Sequence, residues 1–176
     1  MPVSTHAKIF LVGFMGTGKT TLGRLLADRL GWEFHDLDGL MEDEEGASII
    51  RIFAEKGEPY FRELEQRTLA RLAAAPGRAV IACGGGTFCT AENQALLHRC
   101  GITVWLDQPF DQIWRRRDEL ARHRPLMRGE SEVRHLYEER AAFYTRASLH
   151  LTVMEGELPA ALRNLLGLLR ERFAIG

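Results

Sequence analysis

Gly13-Phe14-Met15-Gly16-Thr17-Gly18-Lys19-Thr20 matches GxxxxGK[ST] at every fixed position. The apolar run Ile9 to Val12 leads into it. Thr20 to Leu30 follows, with Leu22, Leu25, Leu26 and Leu30 falling on one side of a helix. A strand that feeds a glycine-rich turn and then a helix is the setting in which this pattern holds a polyphosphate. The glycines let the loop bend with its N–H groups pointing inward, and the positive helix end adds to their attraction. Lys19 is placed to bridge the β- and γ-phosphates, and the Thr20 hydroxyl to ligate Mg²⁺. A glycine-rich turn matched by chance would lack the flanking strand and helix. The motif names the donor, a nucleoside triphosphate, and not the acceptor; a regulatory or motor NTPase would share it.

Four more short apolar runs follow: Trp32 to His35, Ala79 to Cys83, Ile102 to Leu106 and Leu149 to Val153. Each is too short for a helix, and several are continuous, as in strands buried on both faces of a parallel sheet. Helical patterns lie between them, at Leu64 to Leu72 and Ala91 to Leu97. The clearest has Leu158, Ala161, Leu162, Leu165, Leu166 and Leu169 at i, i+3, i+4, i+7, i+8 and i+11. Strand and helix in alternation predict an α/β fold around a mainly parallel sheet.

With 176 residues, 45% of them apolar, and a formal charge of −1, the chain suits one compact domain rather than a disordered or strongly basic one. That balance argues against a nucleic-acid or membrane-surface binder. Of the 23 basic residues only Lys8, Lys19 and Lys56 are lysines. Arginine suits bidentate recognition of carboxylate and phosphate, although codon usage accounts for the bias equally well. Cys83, Cys89 and Cys100 form no CxxC pair, the histidines form no metal cluster, and the N-terminus carries no signal-like segment. A cytoplasmic protein is expected. Charge is nevertheless segregated. Residues 36–46 hold six acids and no Lys or Arg, while residues 113–128 hold six arginines against Asp118 and Glu119. Solvated helix faces would explain either cluster alone.

At the end of the second strand sits Asp36-Leu37-Asp38. If that strand neighbours the first in a parallel sheet, its carboxyl end lies beside the phosphate cradle. The two aspartates are then read as leaving the strand end on one face. One can hold a Mg²⁺-bound water, and the other can accept a proton or hydrogen bond from an acceptor hydroxyl. A helix N-cap role for Asp38 is the plain alternative. Gly84-Gly85-Gly86, after the third strand, permits close approach of backbone to a ligand. Arg62 alone would pass as a surface residue.

Taken in order, Gly13 to Thr20, Asp36-x-Asp38, Phe61-Arg62, Gly84 to Gly86, Arg124-Pro125-Leu126, and Arg140 followed by Tyr144 closely resemble the shikimate kinases. The resemblance runs from about Lys8 to the final helix. It implies a three-layer P-loop fold with a five-stranded parallel sheet, order 2-3-1-4-5, flanked by helices. One kinase domain would span residues 1–176, with a substrate-binding region at about 34–62 and a mobile lid at about 113–130. The reaction implied is transfer of the γ-phosphoryl of ATP to the 3-hydroxyl of shikimate, in aromatic amino-acid (chorismate) biosynthesis.

The resemblance also implies residue roles. Gly16, Thr17, Gly18, Lys19, Thr20 and Thr21 would wrap the ATP phosphates, with Thr20 on Mg²⁺ and Asp36 in the outer shell of the ion. Asp38 would bind the ring hydroxyls and orient the one to be phosphorylated. Arg62 and Arg140 would grip the shikimate carboxylate, and Gly85 would offer its N–H. Arg124 would come in on the lid to neutralise the transferring phosphoryl, with Lys19, Asp38 and Arg124 as the catalytic set. A monomer acting on small molecules is expected, with no nucleic-acid or membrane partner.

Some features depart from the family pattern. The segment from Arg124 to Arg140 looks short, with Gly129-Glu130-Ser131-Glu132 at its expected tip. The loop Met154 to Glu157 lacks a basic residue to set against adenine, which leaves Arg116 as the expected adenine stacker and Arg115, Arg117 and Arg122 as a solvated face. Trp32, Trp105 and Trp114 are expected in or near the core, and Tyr137 and Tyr144 at the base of the lid. Two rival readings remain. One is a related small-metabolite kinase such as a gluconate kinase, which would share the cradle but not the Phe61-Arg62, triple-glycine and Arg140 set. The other is a non-catalytic nucleotide-binding module. A nucleic-acid kinase would want a basic acceptor groove, whereas residues 38–45 are acidic.

Overall fold

The computed structural model describes residues 8–126 and 128–176. In chain order the elements are β1 (Lys8–Val12), α1 (Lys19–Leu30), β2 (Glu33–Asp36), α2 (Leu37–Glu45), α3 (Ile49–Ala74) and β3 (Ala79–Ala82). After a 3₁₀ turn (Thr87–Cys89) come α4 (Ala91–Cys100), β4 (Gly101–Asp107), α5 (Phe110–Arg115), α6 (Arg117–Ala121), α7 (Glu130–Tyr144), β5 (Leu149–Thr152) and α8 (Leu158–Phe173). The five strands form one parallel sheet in the order β2-β3-β1-β4-β5, as the family resemblance implied.

β1 lies at the centre and is buried along its whole length, which explains its unbroken apolar run. Alternate residues serve opposite faces. Ile9 and Leu11 join Val80, Val104, Leu22 and Leu26 under α1 and α8. Phe10 and Val12 join Ile81, Leu64, Leu97 and Tyr144 under α3, α4 and α7. Each face is therefore covered by helices, and the carboxyl ends of β1, β2, β3 and β4 open on one edge where loops meet a ligand.

Two helical segments extend beyond the helical patterns seen in the sequence. α2 begins directly after β2, because the Asp36 side chain accepts a hydrogen bond from Gly39 N at 3.1 Å and caps the new helix. Asp36, rather than Asp38, is thus the N-cap. The paired aspartates do not share a strand face either: Asp36 ends β2 and Asp38 stands in the first turn of α2. α3 starts at Ile49, well before the expected Leu64. Ser48 caps it, and Gly57 interrupts it with φ 81° and ψ 168°. That conformation belongs to glycine, and Pro59 then fits the restarted first turn because its missing N–H would have no helical partner there.

Gly129 precedes α7, and Glu130 and Glu132 lie in its first turn, where carboxylates favour the positive helix end. Of the expected tip, Glu130, Ser131 and Glu132 are therefore helix, and the loop that bears Arg124 lies before it. Among the described residues no helix is long and apolar enough to cross a membrane.

Candidate active site

Two cavities meet at the carboxyl edge of the sheet. The first is lined by Gly16, Gly18, Lys19, Thr20, Thr21, Asp36 and Arg116. The second is lined by Arg62, Glu65, Gly84, Gly85, Gly86 and Arg140, with Ile49, Phe53 and Leu126 as apolar walls. Asp38 and Arg124 line both, and they form an ion pair with each other. The two residues from opposite charge clusters thus stand at the junction.

In the first cavity Gly18, in the left-handed region, turns the chain into α1. The Thr17 hydroxyl donates inward to the Phe14 carbonyl at 2.9 Å, which leaves its backbone N–H as the group it can offer a ligand. The Lys19 ammonium is folded onto the loop, donating to the carbonyls of Gly13 at 2.8 Å and Phe14 at 2.7 Å. Burial, and then the nearby Arg124 cation, lower its pKa to about 7. The Thr20 hydroxyl donates to Asp36 at 2.5 Å. The pair suits a Mg²⁺ ion that keeps most of its waters and takes its other ligands from phosphates. No cluster of three or more His, Cys, Asp or Glu side chains that could form an all-protein cage occurs among the described residues.

Arg116 sits at the break between α5 and α6. One terminal nitrogen of its guanidinium donates both to the Gly16 carbonyl at 2.6 Å and to Gln108 Oε1 at 2.7 Å, while Nε is buried without a partner. These bonds occupy the edge of the guanidinium, so adenine stacking is open only to its face. Arg115, Arg117 and Arg122 are exposed, as expected.

In the second cavity Arg140 is only 7% exposed, and among the described residues no carboxylate pairs with it. A buried cation without a counter-ion favours an incoming anion. Arg62 is held by Glu65 at 3.0 Å and Glu58 at 3.2 Å. Glu65 is 2% exposed and accepts from the Thr87 hydroxyl at 2.6 Å; burial pushes its carboxyl pKa up, against the pull of Arg62 and Thr87. Glu65 and Thr87 were not read from the sequence. The signal for Glu65 was its place three residues after Arg62 on one helix face.

The three glycines are explained by crowding. A Cβ on Gly86 would stand 2.6 Å from the Arg62 guanidinium, one on Gly85 3.1 Å from that of Arg140, and one on Gly84 3.1 Å from the Asp38 carboxylate. Tyr144 lies buried beneath this turn rather than at the base of the lid, and its hydroxyl donates to the Gly85 carbonyl. Tyr137 does sit at the lid root, against Phe14 and Phe110.

The acidic run is also redistributed. Only Asp36 and Asp38 of its six acids line the cavities. Glu42 accepts from Ile49 N at the start of α3, Glu44 pairs with Arg67 and Arg71, and Glu45 pairs with Lys56. Half of those acids therefore fasten α2 to α3.

Comparison with known proteins agrees with this geometry. The sequence model of the shikimate kinase family matches residues 15–166. A shikimate kinase of Nostoc punctiforme is 43% identical over 159 residues, covering 89% of this chain and 86% of that protein. Among solved structures, the shikimate kinase from Acinetobacter baumannii in complex with shikimate superposes with a TM-score of 0.87 at 35% identity, covering 96% of each chain. A gluconokinase from Sinorhizobium meliloti covers 96% of this chain and 98% of its own, with a TM-score of 0.58 at 19% identity, a likeness of fold alone. Residues gathered at the two cavities, the sheet order and these matches lead to one conclusion: the chain belongs to the shikimate kinase family.

Proposed function

We propose that the chain transfers the γ-phosphoryl group of ATP to the 3-hydroxyl of shikimate. The observation that carries this reading is the junction formed by Asp38 and Arg124, which line both the cavity of the phosphate loop and the cavity of Arg62 and Arg140. A small hydroxylated acid seated with its carboxylate against Arg140 and Arg62 would turn its hydroxyl edge toward Asp38. The two guanidiniums match a carboxylate in charge and fork geometry. The gluconate kinase and non-catalytic alternatives are not favoured, since neither calls for the buried Arg140 and the half-buried Arg62 beside an intact Lys19, Asp38 and Arg124.

Phosphoryl transfer passes through a loose transition state, so the protein acts by positioning and by stabilising charge. The backbone N–H groups of Gly16 to Thr21 would hold the phosphates, with Lys19 leaving the Gly13 and Phe14 carbonyls for the β- and γ-oxygens. Asp38 would orient the acceptor hydroxyl and take its proton as the new O–P bond forms and the bond from the γ-phosphorus to the bridging oxygen breaks, with ADP as the leaving group. Arg124, released from Asp38 by the incoming hydroxyl, would meet the charge on the equatorial oxygens. Thr20 and Asp36 would hold Mg²⁺, the latter through water, and the ion when bound would neutralise phosphate charge. Because one chain supplies every one of these residues, a monomer suffices. Its three cysteines, all free thiols, suit the cytoplasm.

A coupled assay of ADP formation tests the proposal with three acceptor conditions: shikimate, gluconate and none. ADP release that depends on shikimate is the expected result. Release that depends on gluconate, or that is the same with and without acceptor, would contradict it.

A further inference from the structure

Outside the residues already given roles, the densest polar connection lies at the root of the lid. Gln108 follows the last residue of β4 and is only 4% exposed. Its backbone carbonyl accepts from the Tyr137 hydroxyl of α7 at 3.0 Å. Its Oε1 accepts from Arg116 at 2.7 Å, and the same Arg116 nitrogen donates to the Gly16 carbonyl in the phosphate loop at 2.6 Å. Its Nε2 donates to Gln112 Oε1 at 3.3 Å, and that oxygen also accepts from Glu155 N, in the loop between β5 and α8, at 2.8 Å. One buried amide thus joins α7, the α5–α6 break, the phosphate loop and the β5–α8 loop.

We infer that Gln108 is a positioning residue for the nucleotide, acting through Arg116 on the Gly16 carbonyl and through Gln112 on the β5–α8 loop. The reasoning rests on the proposal that the phosphate loop binds ATP. A trans peptide carries its C=O and N–H antiparallel, so fixing the Gly16 carbonyl fixes the direction of Thr17 N–H, one of the donors expected to meet phosphate. A guanidinium can hold that carbonyl only if its own orientation is held. Gln108 supplies the second acceptor on the same nitrogen. Without it, Arg116, whose Nε is buried with no partner, would be anchored at a single point and free to turn away from the Gly16 carbonyl. The Leu120 side chain of α6 lies against Gly16 as well, within 2.6 Å of where a Cβ would stand. The loop is therefore held by the lid root and not by its own glycines alone. The acceptor cavity contains neither Gln108 nor Arg116 among its lining residues.

Calorimetric titration with ADP, together with steady-state kinetics, tests this on wild type, Gln108→Leu, Gln108→Glu and Gln112→Leu. Gln108→Leu removes both side-chain bonds at nearly constant volume. It is expected to raise the ADP Kd and the ATP KM on the order of tenfold, the scale of a lost hydrogen bond to a charged group, while the shikimate KM stays within about twofold. Gln108→Glu keeps an acceptor for Arg116 and is expected to restore most of the affinity. The inference is overturned if Gln108→Leu binds ADP as wild type does, if it raises both KM values equally, or if Gln108→Glu is as impaired as Gln108→Leu. Should Gln108→Leu fail to fold, Gln112→Leu decides: about a threefold rise in ADP Kd supports the inference, and an unchanged Kd overturns it. A wild-type protein that binds no ADP would overturn the nucleotide proposal itself, and this inference with it. ADP binding by wild type with no change in the variants would overturn the inference alone.

Discussion

Lys19 has two sets of partners to choose between. Its ammonium lies on the carbonyls of Gly13 and Phe14, and its pKa is lowered to about 7. Phosphates favour its charged form. At pH 8 a lysine with that pKa is mostly neutral, so nucleotide binding at the loop is expected to take up a proton. Calorimetry at pH 8 in two buffers of different ionisation enthalpy is expected to show uptake approaching one proton per ADP, lost in Lys19→Met; no difference between wild type and Lys19→Met would contradict it. Between pH 7 and 10.5 the unfolded chain holds the proton more tightly than the folded one, so this group's contribution to stability grows as pH rises through that window. Arg124 pairs with Asp38 in the structure, and under the proposed reaction the transferring phosphoryl, also an anion, would replace Asp38 as its partner. An arginine serving such a transition state is worth about 10³–10⁵ in rate, so kcat of Arg124→Ala in the coupled assay should fall by about 10³ or more, and a fall of less than tenfold would remove it from the catalytic set. Lys19 was legible from sequence because its motif is local, whereas Arg124 stood out from its arginine cluster only through the family resemblance. Glu65 was not, since its partners Arg62 and Thr87 belong to different elements and meet only in the fold.

At the scale of elements, α3 is where local reading fell short. Gly57 and Pro59 mark a break in any simple helical pattern, yet the chain resumes its helix beyond them. The break redirects the helix so that Phe61 is buried while Arg62 reaches the acceptor cavity. A side chain at Gly57 would meet only Pro59 Cδ, at 3.7 Å, so strain rather than crowding limits the position. Gly57→Ala should destabilise the fold by about 1–3 kcal/mol, the usual cost of a glycine-only conformation, and raise the shikimate KM through Arg62; urea unfolding and kinetics together check this. Unchanged stability would show that the kink relaxes freely. The strands were legible to within a residue or two because their buried runs, Ile9 to Val12 in β1 and the whole of β3, are continuously apolar. α2 was not, because its start depends on whether Asp36 or Asp38 turns back to cap the backbone, and spacing alone leaves both possible.

For the whole molecule, the net charge of −1 conceals a division of labour. The acidic run near residue 40 and the arginine-rich run near residue 120 look in sequence like two opposed patches. In the fold they touch through Asp38 and Arg124, while Glu44 and Glu45 turn to α3 and Arg116 turns to the phosphate loop. Composition reports totals, and only the sheet order brings these elements to one edge. Lys19 lines one of the two adjoining cavities and Arg140 the other, so under the proposed reaction one basic residue would serve the donor and one the acceptor. The most direct test of that arrangement compares shikimate with its methyl ester, which lacks the charged carboxylate, in wild type and in Arg140→Leu. Wild type should lose about 10²-fold in kcat/KM on going to the ester, the scale of two charged hydrogen bonds. In Arg140→Leu that gap should narrow by about tenfold, because shikimate loses the contact and the ester never had it. Equal turnover of acid and ester by wild type, or an equal loss on both substrates in Arg140→Leu, would contradict the arrangement.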